Sequence, residues 1–355
     1  MTLSLTISPP WESPVWYEAT VQLALQDLCA ARDVVFDVGA NIGGIATMAA
    51  QHVGPTGRVV AFEASPRNLA QLHYNLAALH AVNVNVVPVA VAGEDGQLLG
   101  FYYGGSAVAD SLAQLRAGPP DAFVPSVTLD AFCARSGLVP DVVKMDIEGG
   151  EFDALAGFMM QLERPSPPPL VLEVTSRVME LHALLSSLGY SGVDLSTYGR
   201  FDPAAAAQGI SNVLYVHPRN TKGVRYLHGR KVATRNIDWR LPELSSGGGI
   251  ARGKGPEEIE AGASIQFGRL EPGRYILEFQ GGSIGTDVEA EIAIGMPGRT
   301  LSLHIAMLSH LVRHYSSMPF HVPIAADVHL RLKRAPLETF RAALGSLSVS
   351  RVEFQ

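Results

Sequence analysis

Four acidic residues stand where apolar runs of the chain stop: Asp37 in "VVFDVG", Glu63 closing "RVVAFE", Asp146 closing "VVKMD" and Glu173 in "LVLEV". Residues 144–151, Lys-Met-Asp-Ile-Glu-Gly-Gly-Glu, add two more carboxylates, a lysine and two adjacent glycines. A carboxylate presented at the end of a buried strand can take a proton, accept hydrogen bonds from hydroxyl groups, or ligate a hard cation. Asp146 is the best placed for proton or cation chemistry. Glu173 is the partner with which it would share Mg²⁺ or another divalent ion. If "VVKMD" is a strand, Lys144 and Asp146 lie on one face. The lysine then pairs with Asp146 or Glu173, contacts a substrate, or forms a buried structural ion pair. Glu148 is balanced between that chemistry and the positive end of the following helix, where Glu151 reads as a first-turn acid. "DIEGGE" lacks the oxygen spacing of an EF-hand.

The stretch "FDVGANIGG" (36–44) lies where the first apolar run gives way to a helix. Glycines there allow close backbone approach, and a helix start offers unpaired N–H groups. The spacing Gly39, Gly43, Gly44 is not the G-x-G-x-x-G of dinucleotide enzymes. Glu63 closes the next apolar run, where an acid grips ribose hydroxyls in nucleotide-binding folds. A cofactor containing a nucleoside is therefore expected.

Apolar runs at 34–38, 57–65 and 82–92, then "PDVVKMDI" and "PPLVLEVTS", alternate with helical spacing such as Leu69, Leu72, Leu76 and Leu79. That alternation predicts a mostly parallel sheet flanked by helices, with ligands beyond the carboxyl ends of its strands. Phe152, Leu155, Met159 and Leu162 read as one face of a single helix. After about residue 220 the pattern becomes short β-rich runs broken by turns, among them Glu271-Pro272-Gly273. This predicts a jelly-roll-like β-sandwich in a second domain, 221–355, after an α/β domain at 1–220. The 355 residues are 47% hydrophobic and carry a net charge of −7, which argues against nucleic-acid binding. Two cysteines outside any C-x-x-C, no secretory signal and no long apolar span point to a cytoplasmic protein.

"VVFDVGANIGG", "VVAFEASPRN", "VTLDAFC" and "VVKMDIEGGEFDAL", in that order, resemble the FkbM-type S-adenosylmethionine-dependent methyltransferases. The resemblance spans roughly residues 30–220. It implies a Rossmann-like class I fold, a seven-stranded sheet with an antiparallel last strand, its final two strands supplied by "SGVDLS" and "SNVLYVHP". It also implies O-methylation of sugar, glycan, glycolipid or polyketide hydroxyls. Carried over by motif, Asp37, Gly39, Asn41 and Gly43 would line the methionine and ribose portions of S-adenosylmethionine. Glu63 would hold the ribose diol, Ser65 would stand near the adenine, and backbone around Val89–Ala90 would meet the adenine edge. Glu-Ala-Ser replaces the commoner Glu-Pro after that strand. Catalysis would fall to Asp146, Lys144 and Glu173.

The expected acceptor is a sugar, a glycan or a glycosylated small molecule; a polyketide or peptide product is the alternative. A nicotinamide-dependent oxidoreductase and a non-catalytic glycan-binding protein are the rivals from other classes. Asp130 reads as the cap of the helix beginning "AFCARSG", with orientation of the cofactor loop as the alternative, and His182 as a partly buried helix histidine, with reach to the substrate as the alternative. Trp11, Trp16 and Tyr17 read as an anchor or flap, and the His310/His314 pair as a poor metal site for want of a glutamate partner. "GRKVATRNIDWR" (229–240) suits either glycan recognition or packing, so the β domain would hold the acceptor or drive homo-oligomerisation.

Overall fold

The computed structural model describes residues 19–104, 112, 118–206 and 211–228, then 230–236, 250–251, 257–260, 264–284, 288–296, 299–308, 313–316, 320–322, 325–333 and 341–354. Trp11, Trp16, Tyr17, Trp239, Arg240 and His310 lie outside these. The chain forms two compact units, the first running through Gly229, past the boundary read near "HPRNTKG". That segment stays with the first unit through Lys222, whose Nζ lies 2.6 Å from Asp33 and donates to the Leu28 carbonyl at 3.2 Å.

In the first unit, helix α1 (Ala19–Leu28) precedes β1 (Val34–Val38), α2 (Gly44–Val53), β2 (Arg58–Phe62), α3 (Pro66–Ala78) and β3 (Val84–Val87). Then follow β4 (Ala90–Val91), β5 (Leu98–Phe101), β6 (Ala122–Val127), α4 (Leu129–Ser136), β7 (Val142–Met145), α5 (Glu151–Ala156) and α6 (Met159–Leu162). The unit closes with β8 (Leu170–Val174), α7 (Val178–Ser187), β9 (Ser191–Asp194), α8 (Pro203–Ala206) and β10 (Ser211–Val216). Seven strands form one sheet in the order β3-β2-β1-β7-β8-β10-β9. Neighbours from β3 through β8 are parallel, and β10 runs antiparallel between β8 and β9. The continuous apolar runs are what a sheet covered on both faces needs. Val35, Phe36, Val59, Val60, Val142, Val143 and Met145 are all buried.

Two elements differ from the sequence expectation. The run 82–92 splits, because Pro88 has no N–H to continue the ladder. β3 stays at the edge of the main sheet, and β4 pairs with β6 in a small three-stranded sheet with β5. The helix expected across 152–162 is two helices, α5 and α6, broken at Gly157. A Cβ there would sit 2.8 Å from the Ala92 carbonyl oxygen. The Gly157 carbonyl instead accepts the Asp130 N–H at 3.0 Å.

Among the described residues from Arg230 onward, the elements of the second unit are β-strands. One sheet runs β12 (Ile250–Ala251), β13 (Glu257–Glu260), β21 (Arg341–Phe354), β15 (Gly273–Ile284), β18 (Arg313–Ser316), with β11 (Arg230–Asn236) also on β21 and β19 (Phe320–Val322) also on β15. The other runs β14 (Ser264–Leu270), β20 (Ala326–Lys333), β16 (Val288–Met296), β17 (Arg299–Leu308). Every pairing among them is antiparallel. Glu271 and Pro272 join β14 to β15, which belong to different sheets. His314 falls in strand β18.

Candidate active site

The register of the central strands places the polar ends together. Asp37 of β1 lies opposite Lys144 of β7, and Met145 opposite Leu172 of β8. One residue further along, Asp146 comes beside Glu173. Lys144 is buried, with Nζ 3.6 Å from the Asp37 carboxylate, 3.5 Å from that of Asp146, and 3.2 Å from the Gly39 carbonyl, to which it donates. Of the roles open to this lysine, the structure brings it to Asp37 and Asp146.

Glu63 follows β2 and is almost wholly buried. Its carboxylate accepts the Asn41 N–H at 2.6 Å on one oxygen and the Ser65 N–H at 2.7 Å on the other. Burial raises its pKa above the usual carboxylate range, and these N–H donors, helped by Asn68, pull it back. A carboxylate has about four acceptor positions; Oε1 also accepts from the Asn68 Nδ2 at 3.5 Å, so the capacity for a hydroxyl lies on Oε2. Glu63→Ala should weaken S-adenosylmethionine binding by about 1–3 kcal/mol in calorimetric titration. Unchanged affinity would remove it from the cofactor site. Ser65, buried at the N-cap of α3, commits its N–H to Glu63, and Ala90 is buried in β4.

The glycines are fixed from within the protein. Gly39 has φ +80°, and a Cβ would lie 1.8 Å from the Asp146 carbonyl oxygen. Gly43 has φ +90°, and a Cβ would meet a Leu72 methyl at 2.5 Å. The glycine loop is thus pressed against the β7 end on one side and α3 on the other. These contacts within the protein by themselves already call for glycine at both positions.

The turn after β7 resolves the remaining acids. Glu151 is buried, and its Oε1 accepts the N–H groups of Ile147 at 3.0 Å and Gly149 at 3.2 Å. It is structural, as its first-turn position suggested. Glu148 takes a left-handed backbone at φ +55°. Asp146, Glu148 and Glu173 each offer a carboxylate oxygen within 4.8 Å of the others. Sequence periodicity could not show this, because the left-handed residue breaks any helical or strand pattern. Ser176, after β8, secures the turn by donating its hydroxyl to the Gly149 carbonyl at 2.9 Å.

Burial raises the Glu148 pKa, and the charges of Asp146 and Glu151 raise it further. A raised native pKa means that ionised Glu148 costs stability, with the cost absent in acid and growing as pH rises through that pKa. Glu148→Gln should therefore show slightly greater amide hydrogen-exchange protection in β7 and β8 than wild type at pH 8, with the gap closing near pH 4. A gap independent of pH would contradict this. Asp130 caps α6 rather than its own helix, accepting the Met160 N–H at 2.9 Å and the Gln161 N–H at 3.3 Å. His182 is half-buried and shares a hydrogen bond with the Tyr215 hydroxyl at 3.1 Å. That arrangement holds a helix against the sheet.

A parallel sheet with one antiparallel strand next to its edge, and helices between its strands, is the Rossmann-like sheet of the class I methyltransferase fold. Residues 37–191 match the model of the methyltransferase FkbM domain. Precorrin-6y C5,15-methyltransferase from Geobacter metallireducens is similar at 19% identity over 55% of this chain and 83% of its own, TM-score 0.33. An O-methyltransferase from Bacillus cereus in complex with SAH shares 16% identity over 60% and 82%, TM-score 0.34. An rRNA methylase from Streptococcus thermophilus shares 10% over 60% and 98%, TM-score 0.35. No curated protein sequence matches the chain. Among the described residues no helix is long and apolar enough to cross a membrane.

Proposed function

We propose that the protein transfers the methyl group of S-adenosylmethionine to a hydroxyl oxygen of a sugar or glycan acceptor. The observation carrying this is the half-buried Asp146 carboxylate at the end of β7, beside Glu148 and Glu173 and one lysine away from the glycine loop. A neutral alcohol is scarcely ionised near pH 7, so its proton must leave as the C–O bond forms. In this reading Asp146 takes that proton. The breaking C–S bond leaves its electron pair on sulfur, giving S-adenosylhomocysteine and the methyl ether. Asp37, Gly39, Asn41, Gly43 and Glu63 position the cofactor, Ser65 and Ala90 border its base, and Lys144 holds Asp146 against the loop.

The three carboxylates also fit a hard divalent ion in donor chemistry, since Mg²⁺ and its relatives take oxygen ligands. Asp146, Glu148 and Glu173 would hold it, and when bound it would supply Lewis acidity toward an acceptor oxygen. We read the β-rich unit as holding the acceptor or as an oligomerisation surface. A cytoplasmic setting accords with the two free cysteines.

The test is transfer of labelled methyl from S-adenosylmethionine to a panel of oligosaccharides and glycosylated metabolites, with fragmentation locating the methyl group. Methyl found on nitrogen or carbon would overturn the proposal. Parallel assays with EDTA and with Mg²⁺ restored decide between the two: activity lost and regained would give the carboxylates a metal role. Full activity in EDTA would leave the carboxylates without a metal role.

A further inference from the structure

Helix α3 buries Leu72 and Leu76, as its periodicity announces, yet two asparagines are buried with them. Asn68 and Asn75 are each 4% exposed, and with Leu72 they stand at the i, i+4, i+7 spacing that makes one stripe of a helix. A buried amide is unfavourable unless it is bonded, so the partners of these two carry the argument. The Asn75 Nδ2 donates to the Ile42 carbonyl, in the glycine loop, at 2.7 Å. Gln71, one turn earlier, donates its Nε2 to the Asn75 Oδ1 at 2.9 Å. A carbonyl can only accept, so the two bonds together fix which way the Asn75 amide faces. The Asn68 Nδ2 lies 3.5 Å from the Glu63 Oε1, and a Leu72 methyl occupies the space beside Gly43. One stripe of α3 therefore reaches Glu63 at one end and the glycine loop at the other.

The loop is held at successive residues. The Asn41 N–H, on a left-handed backbone of φ +52°, donates to the Glu63 Oε2 at 2.6 Å. The Ile42 carbonyl accepts from Asn75, and the Gly43 N–H in the same rigid peptide plane points away, to the Ala40 carbonyl at 2.8 Å. Turning that plane would break both bonds and disturb the left-handed residue before it. We propose that Asn75 is a positioning residue of the cofactor site: it holds the glycine loop so that the Asn41 N–H stays on Glu63 and keeps that carboxylate in one orientation for the ribose hydroxyls. The inference rests on Glu63 holding the ribose, and in it Asn75 touches neither cofactor nor acceptor. It accounts for an amide at a position where the buried stripe would otherwise take an apolar side chain. A loop ordered in advance loses less freedom when its ligand binds.

The experiment is calorimetric titration of the full chain with S-adenosylhomocysteine, run as a cycle over Asn75→Leu, Glu63→Ala and the double variant. Asn75→Leu should weaken binding about tenfold, the order expected when a buried carbonyl is left without this donor. In the Glu63→Ala background the same substitution should change affinity by less than about twofold, since the acid it positions is gone. Asn75→Ala leaves room for a water on the Ile42 carbonyl, so it should lose only about threefold and show the same dependence on Glu63. That second variant guards against a leucine that the fold rejects. A general loosening of the unit would multiply the two losses instead of removing one, and that result would overturn the inference. Wild-type affinity in both Asn75 variants would overturn it too. If wild type bound no S-adenosylhomocysteine, or Glu63→Ala bound it as tightly as wild type, the reading of Glu63 would fall first and the role of Asn75 with it.

Discussion

Asp146→Asn should lower kcat by about 10²–10⁴ while cofactor affinity stays within roughly twofold. The substitution keeps the side chain's size and its place after β7. The backbone N–H of residue 146 still donates to the Val38 carbonyl at 3.0 Å, so the strand end should not move. Only the capacity to take a proton and the negative charge are lost. Lys144 retains Asp37 at 3.6 Å and the Gly39 carbonyl at 3.2 Å, which keeps the glycine loop in place. Steady-state kinetics with saturating cofactor and acceptor, beside calorimetry with S-adenosylhomocysteine, separate the two effects. An amide oxygen can still ligate a cation, so recovery of rate at high Mg²⁺ would identify Asp146 as a ligand. No recovery would identify it as the base. Wild-type turnover in the variant would remove it from the chemistry altogether.

The ends of the strands were legible because burial and charge rarely coincide without cause. Asp37, Glu63, Asp146 and Glu173 each interrupt or close a run of apolar residues, and the structure gathers the last two into one carboxylate group while Lys144 ties Asp37 to Asp146. The sheet followed from the same runs, since residues buried on both faces read as continuous apolar stretches. What stayed hidden depends on contacts distant in sequence. Gly39 is required by the carbonyl of residue 146, and Gly157 by that of residue 92. Glu148 reaches the other two carboxylates through a left-handed turn that no residue pattern announces. Arg67 lies over the Tyr103 ring, a contact that no pattern in the chain announces.

Lys144→Met should destabilise the methyltransferase unit by about 3–5 kcal/mol, although methionine fills nearly the same volume. Most ion pairs contribute little because water solvates their members equally well apart. This one differs: the lysine side chain is 6% exposed and Asp37 not at all. Neither group was brought out of water cheaply, and removing the cation leaves a buried carboxylate facing an apolar side chain. Asp146 loses the same neighbour but is partly solvated, so the penalty falls mainly on Asp37. Amide hydrogen exchange in β1 and β7 reports this locally, which matters in a chain of two units where a single unfolding midpoint is not well defined. Asp37→Asn made together with Lys144→Met should restore much of the protection, since a neutral amide tolerates the apolar partner better than a carboxylate does. If the single variant exchanges like wild type, Asp37 does not depend on Lys144 for its charge. If the double variant is no better than the single, the loss comes from the Lys144 hydrogen bond to the Gly39 carbonyl, and the lysine acts on the loop rather than on the acid.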